Sequence, residues 1–227
     1  YKVASFEIVD LPLLNRVART GKPVILSTGM ASSVEIEEAV ETLKAAGCRH
    51  YALLKCTSAY PAPATEMNLH TIPDLIKKFR APVGISDHTM EVAVSVSAIA
   101  LGACIVEKHL TLSRSQEGPD SGFSLEPDEF KLMVQSVRTA FESLGEVHYG
   151  VTDRERSSLV FRRSLFVVKD IKAGERFTNE NVRSIRPGYG LPPRVFDQVL
   201  GRCANRPIKR GTPMSWDLIT SSSETKS

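Results

Sequence analysis

The chain has 227 residues, of which 42% are hydrophobic and 24% charged, which is enough apolar material for one large domain or for a medium and a small one. The formal net charge of +3 and the lack of a dense Lys/Arg run interleaved with aromatics argue against nucleic acid as a partner. The longest apolar stretch, residues 92–106, is too short to span a bilayer, so no membrane role is predicted.

The four cysteines are widely separated and match no zinc-binding spacing. Cys56 and Cys104 lie within apolar runs, where a thiol usually behaves as a small hydrophobic side chain. Unpaired thiols are typical of a reducing compartment, and the sequence therefore predicts a cytoplasmic protein.

Short β-prone runs alternate with helical patterns through the first two thirds of the chain. The predicted strands are residues 1–5, 23–27, 51–56, 82–86 and 103–107. The predicted helices are residues 11–20, 33–46, 71–79, 90–101 and 127–144. Ser33 is the predicted N-cap of the second helix, and Gly47 is its predicted stop. Such alternation is typical of parallel strands joined by crossover helices.

Two α/β architectures fit this alternation, an open doubly wound sheet and a (β/α)8 TIM barrel. Each apolar run ends in a polar cluster, such as Ser27-Thr28-Gly29 or Ser86-Asp87-His88. A barrel gathers its chemistry at many strand ends, whereas an open sheet uses one crevice, and the chain has no glycine-rich dinucleotide motif. The sequence therefore favours the barrel. Because only five strand–helix units are predicted, we expect residues 1–150 to be the C-terminal portion of a barrel whose first units are missing.

The pattern changes after Gly150. Residues 151–160 are predicted to be a polar linker, and residues 161–219 a small β-rich domain of short strands and turns. The Ser-rich residues 220–227 are predicted to be disordered.

Two histidines, His88 and His109, follow successive predicted strands. Because consecutive strands of a parallel barrel are neighbours, both imidazoles are able to face one point at the barrel mouth. Two imidazoles with nearby carboxylates, such as Glu107 and Asp120, suit a divalent ion such as Mn²⁺ or Zn²⁺. The alternative is that each histidine only hydrogen-bonds a strand end or a loop.

Polar residues on the first predicted strand suggest a site for phosphate. Period-two spacing sends Ser5 and Glu7 to the same side, while Lys2 is out of phase with them unless the strand bulges. A lysine with hydroxyls at strand ends, to which Ser58 and Ser86 would contribute, is able to hold a phosphate. The alternative is that these hydroxyls satisfy backbone groups where strands end.

Two further residues allow different interpretations. If Cys56 packs away from the barrel interior, Lys55 points inward, and burial would lower its pKa as a Schiff-base lysine requires. Arg186, in the turn Arg186-Pro187-Gly188 of the small domain, is either solvated or reaches a substrate in a neighbouring subunit.

An ordered set of motifs resembles the N-acetylneuraminate (sialic acid) synthase family. The motifs are Lys2-Val3-Ala4-Ser5-Phe6-Glu7, Leu26-Ser27-Thr28-Gly29-Met30, Lys55-Cys56-Thr57-Ser58-Ala59-Tyr60-Pro61, Gly84-Ile85-Ser86-Asp87-His88-Thr89, Glu107-Lys108-His109, Gly118-Pro119-Asp120 and Arg186-Pro187-Gly188. Within the family, residues 161–168 and 182–191 are most similar to the pseudaminic acid synthase branch, as is Ser58, where sialic acid synthases tend to carry Asn.

The resemblance implies a TIM barrel followed by an antifreeze-like (SAF) domain, in a homodimer whose SAF domain covers the partner's active site. It implies condensation of phosphoenolpyruvate with a (di)acetamido sugar, giving pseudaminic or sialic acid and phosphate, with a divalent metal, expected to be Mn²⁺. The implied metal ligands are His88 and His109. The implied catalytic residues are Glu7, Glu107 and Asp120. The implied substrate-binding residues are Lys2, Ser5, Ser27, Ser58, Tyr60, Ser86 and Arg186.

Two other functions stay open at this point. One is a metal-free Schiff-base aldolase of the barrel class that uses Lys55. The other is a non-catalytic carbohydrate-binding fragment in which the β-rich domain does the binding. Family members carry further phosphate-binding and acid–base residues on the first barrel strands, so we expect the 227 residues alone to be inactive.

Overall fold

The computed structural model of the chain describes residues 1–220. Contacts divide the chain into two compact units, one formed by Tyr1–Glu146 and the other by the residues from Val147 onward. Of the predicted disordered tail, 220–227, all but Thr220 lies outside the described residues.

The first unit is built on a five-stranded parallel sheet whose strands are hydrogen-bonded in chain order. The strands are β1 (Lys2–Val3), β2 (Val24–Ser27), β3 (Tyr51–Cys56), β4 (Val83–Asp87) and β5 (Val106–Lys108). The central strands β2 to β4 are buried along nearly their whole length, which explains why they read as continuous apolar runs. The predicted α/β fold with parallel strands is confirmed.

Four crossover helices connect these strands, and a fifth helix follows the last strand and packs against the fourth helix. They are α1 (Leu11–Ala18), α2 (Ser33–Ala45), α3 (Thr71–Phe79), α4 (Val92–Ala100) and α5 (Pro127–Leu144). The N-cap of α2 is Ser32 and not Ser33, because Glu35 at the third helical position completes a capping box only with Ser32. Gly47 follows the last turn of α2 at φ +88° and is confirmed as its stop signal.

The start of the chain differs from the prediction of a strand over residues 1–5. The strand β1 ends at Val3, and Ser5–Glu7 form a turn of 3-10 helix. The turn forms because the Glu7 carboxylate and the Ala4 carbonyl each accept a hydrogen bond across it, from the Ala4 and Glu7 amides. Ser5 and Glu7 therefore do not share a strand face. Ser5 is buried and Glu7 is exposed.

Side chains of β4 and β5 alternate between two environments. Ile85 and Val106 join the apolar core between sheet and helices. Ser86 and Glu107 point to the other side of the sheet, where they line a cavity. This alternation follows from the two-residue period of a strand, and it separates the core from the site.

The second unit contains a small antiparallel ladder of β6 (Ser164–Val167) and β7 (Val182–Ile185) and the short helix α6 (Phe196–Val199). Its own core is centred on Leu165, Phe177 and Met214. The predicted polar linker at 151–160 is in part helical, because Arg156–Phe161 form a 3-10 helix.

Among residues 1–220, no helix combines the length and the apolar character needed to cross a bilayer.

Candidate active site

A cavity of about 300 Å³ opens at the carboxyl ends of the parallel strands. It is lined by Lys2, Ala4, Ser5, Phe6, Ser27, Cys56, Tyr60, Ser86, His88, Glu107, His109 and Asp120. The carboxyl ends of parallel strands are where α/β enzymes bind their ligands. Another cavity, of about 360 Å³, lies at the opposite ends of the strands and holds none of the predicted site residues.

The parallel sheet is curved strongly enough for its two outermost strands to share this cavity. The Lys2 ammonium on β1 lies 3.5 Å from Oε1 of Glu107 on β5. In a flat sheet, four strand spacings of about 4.8 Å would hold these strands roughly 19 Å apart, too far for the two side chains to meet. The sheet is therefore bent like part of a barrel wall, and its concave side is the site.

His88 and His109 lie side by side directly after β4 and β5, with ring centroids 5.3 Å apart. Nδ1 of His88 lies 2.9 Å from the Thr57 carbonyl oxygen. A carbonyl only accepts hydrogen bonds, so Nδ1 is the donor and Nε2 is left with its lone pair. This arrangement fixes both the tautomer and the ring orientation, as is usual for a metal-binding histidine.

The surroundings act differently on the two imidazoles. For His88, burial disfavours the charged form, but the contacts with Cys56 and the Thr57 carbonyl outweigh it and raise the pKa. For His109, burial and then the charge of His88 lower the pKa, and Asp120 opposes this only in part. His109 Nδ1 lies 3.6 Å from the Asp120 carboxylate, on the loop after β5. A neutral His109 is the form that binds a metal.

His88 and His109 could contribute two ligands to a divalent ion. Within residues 1–220, no group of three or more His, Cys, Asp and Glu side chains is placed to hold an ion alone. An ion between His88 and His109 would therefore keep most of its coordination positions for water or substrate. Open positions are typical of a catalytic metal, whereas a structural metal is closed by protein ligands.

Hydroxyl groups line the floor of the cavity. Ser27 Oγ is buried and is the only buried side-chain polar atom in residues 1–220 without a hydrogen-bond partner. Such an atom costs about 1–3 kcal/mol unless a ligand or water completes it. Ser5, which lines the cavity, shares a hydrogen bond of 2.8 Å with Ser58, which is predicted for the site but is absent from the lining. Gly29, at φ +47°, allows Ser5 to approach this closely, because a Cβ added at Gly29 would lie 2.2 Å from the Cβ of Ser5.

Ser86 and Glu107 form the wall of the cavity nearest the histidines. Ser86 Oγ donates a 2.7 Å hydrogen bond to Glu107 Oε1, the oxygen that also faces Lys2. Ser86 Oγ lies 3.5 Å from His88 Nε2. The cavity thus places an ammonium, a carboxylate and hydroxyls within reach of one small molecule.

An aromatic wall closes the side of the cavity next to the histidines. The Tyr60 ring lies 4.4 Å from that of His88 and 5.3 Å from that of Phe123. Burial, then electrostatic interaction with Cys56 and Asp120, raises the pKa of Tyr60, which favours the protonated phenol as a donor. Phe123, 5.0 Å from the His109 ring, was missed by the sequence analysis. The available signal was its place three residues after Asp120 on the same loop.

Glu7, predicted for the site, lies outside the cavity lining, and Arg186, predicted to reach the site from the partner subunit, belongs to the second unit. Glu7 is exposed, its carboxylate caps its own turn, and its neighbour Phe6 lines the cavity instead. Arg186 directly follows β7 in the second unit, where it is exposed. Its guanidinium makes no hydrogen bond or ion pair with any residue in 1–220.

Lys55 does not meet the condition set for a Schiff-base lysine. Cys56 lines the cavity, so Lys55, its neighbour on β3, points to the opposite side. Its ammonium donates to the Cys56 carbonyl at 2.7 Å and to Thr57 Oγ1 at 3.2 Å. Burial lowers the pKa of Lys55, but the residue is absent from the cavity lining.

A curved parallel α/β sheet with paired histidines and converging hydroxyls at its carboxyl edge is an arrangement typical of α/β enzymes. Comparison with known proteins gives the family. The NeuB family matches residues 1–149, the SAF domain matches residues 162–220, and the chain belongs to the NeuB family. The resemblance seen in the motifs, and the predicted sequence of a barrel-type domain and a SAF domain, are thereby confirmed.

Individual relatives give the same result. The chain is 44% identical over 93% of its length to pseudaminic acid synthase of Campylobacter jejuni, and 40% identical over 92% to N,N'-diacetyllegionaminic acid synthase of that organism. It spans 62% and 64% of these two proteins. The crystal structure of spore coat polysaccharide biosynthesis protein SpsE from Bacillus subtilis is 36% identical over 97% of this chain and 67% of that one, with a TM-score of 0.62.

Proposed function

We propose that this chain provides the metal- and sugar-binding part of an enzyme that condenses phosphoenolpyruvate with a diacetamido sugar to form a nonulosonic acid and phosphate. The supporting observation is that His88 and His109 converge in one cavity with the unpaired hydroxyl of Ser27. The named activities of the Campylobacter jejuni relatives support the same reaction class.

The phosphoenolpyruvate end of the site is assigned to the hydroxyl floor. Lys2 and the hydroxyls of Ser5, Ser27, Ser58 and Ser86 hold the phosphate. Glu107 lies near the carboxylate end, where Lys2 offsets its charge at 3.5 Å. Holding the anion in one pose lowers the entropic part of the barrier, a contribution of up to about 7–11 kcal/mol in well-oriented reactions.

The sugar end is assigned to the residues around the aromatic wall. Tyr60 donates a hydrogen bond from its protonated phenol, and Asp120 accepts one from the sugar. Glu7 stays part of this proposal as a residue that faces the sugar, although its carboxylate caps its own turn. A divalent ion, proposed to be Mn²⁺, would be held by His88 and His109 and supplies Lewis acidity toward the sugar aldehyde.

The reaction balances as follows. C3 of phosphoenolpyruvate forms a bond to the aldehyde carbon, whose oxygen takes up a proton. Water adds to C2, and the tetrahedral intermediate collapses as the bond between C2 and the phosphate oxygen breaks. Inorganic phosphate leaves, and the new keto acid carries the carbons of both substrates.

We assign the sugar to the pseudaminic branch, because that relative has the higher identity of the two Campylobacter jejuni proteins, 44% against 40%. We also propose a homodimer in which Arg186 of the SAF domain reaches the partner's sugar site. The exposed Arg186 guanidinium, which has no partner among the described residues, supports this role. The four cysteines are free, which supports a cytoplasmic location.

The function is tested with a chimera that joins this chain to the part of the Campylobacter jejuni pseudaminic acid synthase that it does not span. We expect phosphate release from phosphoenolpyruvate only with a diacetamido sugar and Mn²⁺. We expect the 227-residue chain alone to give none. The matched control is the same chimera with His109→Ala. A folded chimera that binds both substrates and releases no phosphate would count against the proposal.

The Schiff-base aldolase is the second candidate, and it gives the opposite results. It would survive EDTA, and borohydride with a pyruvate-type substrate would leave an adduct on Lys55. A Lys55→Met chimera would then lose all turnover. The orientation of Lys55 away from the cavity disfavours this candidate.

A further inference from the structure

We infer that the buried ion pair between Asp87 and Lys108 is a positioning device that aims His88 and His109 at a common ion. The inference rests on the proposed metal site. It concerns residues on the face of the sheet opposite to that site.

The location of the pair is the first argument. Asp87 and Lys108 are register partners on β4 and β5, and each immediately precedes one of the histidines. Because successive side chains alternate, the ion pair faces the helices while both imidazoles face the cavity. The side chains of Asp87 and Lys108 are 0% and 1% exposed, and their charged atoms are 2.8 Å apart.

The hydrogen bonds of Asp87 are the second argument. Its Oδ1 accepts from the backbone amide of Thr89 at 2.9 Å and from the Thr89 hydroxyl at 2.8 Å. Its Oδ2 accepts from Ser95 of α4 at 2.7 Å and from Lys108 at 2.8 Å. The residues before and after His88 are thus joined by side-chain bonds that bypass the histidine itself.

Lys108 connects the segment Asp87–Thr89 to the strand that carries His109. Its ammonium also donates to the Thr89 carbonyl at 2.6 Å. One side chain on β5, next to His109, therefore holds both ends of the segment that carries His88. This connection constrains the backbone on both sides of His88 relative to β5, while the hydrogen bond to the Thr57 carbonyl sets the rotation of the His88 ring.

The energetics favour positioning over simple stabilisation. Burying an ion pair costs desolvation free energy that its attraction often does not exceed, and well-packed apolar residues are usually as stable. The neighbouring positions on the same face, Ile85 and Val106, are apolar. Hydrogen bonds are directional and apolar contacts are not, so the ion pair specifies an orientation that an apolar pair would leave loose.

The test uses the double variant Asp87→Asn/Lys108→Met, which keeps the side-chain volumes and removes both charges. We expect it to fold, as judged by far-UV circular dichroism and urea unfolding. We expect its Mn²⁺ dissociation constant to rise about 10–100-fold, the range seen when groups that orient metal ligands are changed. The absorption spectrum of bound Co²⁺ should change as well, which a purely structural role would not cause.

The matched control is Leu43→Ala, a fully buried residue of α2 outside the cavity lining. This variant is destabilised through a core void and should keep wild-type Mn²⁺ affinity and Co²⁺ spectrum. A folded double variant with the wild-type dissociation constant and spectrum overturns the inference. If the double variant does not fold, the variant Thr89→Val/Ser95→Ala takes its place. It removes one hydroxyl donor from each Asp87 oxygen, and its Mn²⁺ dissociation constant and Co²⁺ spectrum are judged in the same way.

A different result would overturn the proposed metal site itself. If wild-type chain binds Mn²⁺ no more tightly than the His88→Ala/His109→Ala variant, there is no metal site, and the positioning role falls with it. If wild type binds through the histidines and the double variant binds equally well, only the positioning role is lost.

Discussion

The two faces of β4 and β5 use polar residues in opposite ways. On the helix side, Asp87 accepts four hydrogen bonds and its carboxylate is fully enclosed. On the cavity side, Ser86 and Glu107 pair with each other but stay open to the cavity, and the hydroxyl of Ser27 on β2 has no partner in the described part of the chain. Completed hydrogen bonds mark a group that holds the structure, and incomplete ones mark a group that awaits a ligand.

The largest effect expected from this comparison is on the helix side. Asp87→Ala leaves the Lys108 ammonium buried without its partner, and we expect a loss of about 3–5 kcal/mol in the free energy of unfolding. Urea denaturation measures it. Glu107→Gln, on the cavity side of the neighbouring strand, is the matched control and should change stability by less than about 0.5 kcal/mol. Equal losses in both variants would contradict the distinction between the faces.

The next effect is on metal binding at the cavity side. His109→Ala removes a half-buried proposed ligand, so we expect Mn²⁺ affinity to fall by more than about a hundredfold, beyond the range for groups that only orient ligands. Isothermal titration calorimetry measures it. His148→Ala, an exposed histidine of the second unit, is the control and should bind as wild type. A His109→Ala variant with unchanged affinity would rule out this ligand.

A smaller effect separates ligand binding from stability at Ser27. Ser27→Ala removes a buried hydroxyl that has no hydrogen-bond partner among residues 1–220, so folding stability should stay equal or rise slightly. Affinity for phosphoenolpyruvate should fall about tenfold, the loss of one hydrogen bond to a charged group. Equilibrium binding and urea denaturation on the same samples measure both. A clear loss of stability without a loss of affinity would show that the hydroxyl is structural.

The smallest effect concerns the loop that carries Asp120. Arg114 lies on that loop and binds the Glu129 carboxylate of α5. Its hydrogen bonds lower the pKa of Glu129 from 4.5 to about 2. Since the folded-state pKa is lowered, the pair contributes stability above the unfolded value near 4.5, and this is lost as pH falls toward 2. At pH 7 the urea midpoint of the wild type should therefore be higher than that of Glu129→Gln. The difference between the two midpoints should disappear at low pH. A gap that is independent of pH would contradict this assignment.

The sequence predicted the sheet and its helices because the main signals are local. Gly47 marks the end of α2 and Pro127 the start of α5, and apolar periodicity marks α3, so α3 (Thr71–Phe79) and α5 (Pro127–Leu144) match their predicted bounds. The 3-10 turn at Ser5–Glu7 was missed because it depends on one side chain bonding back to its own backbone. Such a hydrogen bond leaves no periodic pattern in the sequence. Because the Glu7 carboxylate makes it, Glu7 does not line the cavity.

Within the site, the sequence predicted residue types at strand ends and could not predict their pairing. His88 and His109 were placed from their positions after successive strands, and the structure brings their rings together. Phe123 was missed because its place depends on the path of a long loop, along which nearness to Asp120 in the sequence is a weak guide to nearness in the fold. The orientation of Lys55 was left open because the phase of β3 is visible only once Cys56 is seen in the cavity.

The contact between Lys2 and Glu107 links ligand binding to the curvature of the parallel sheet. These residues belong to the first and last strands of the sheet, so the distance between their side chains depends on the curvature of the sheet. A ligand that contacts both side chains would bind with an affinity that depends on the curvature of the sheet. A substitution deep between sheet and helices is therefore able to alter affinity without touching a single group that meets the ligand.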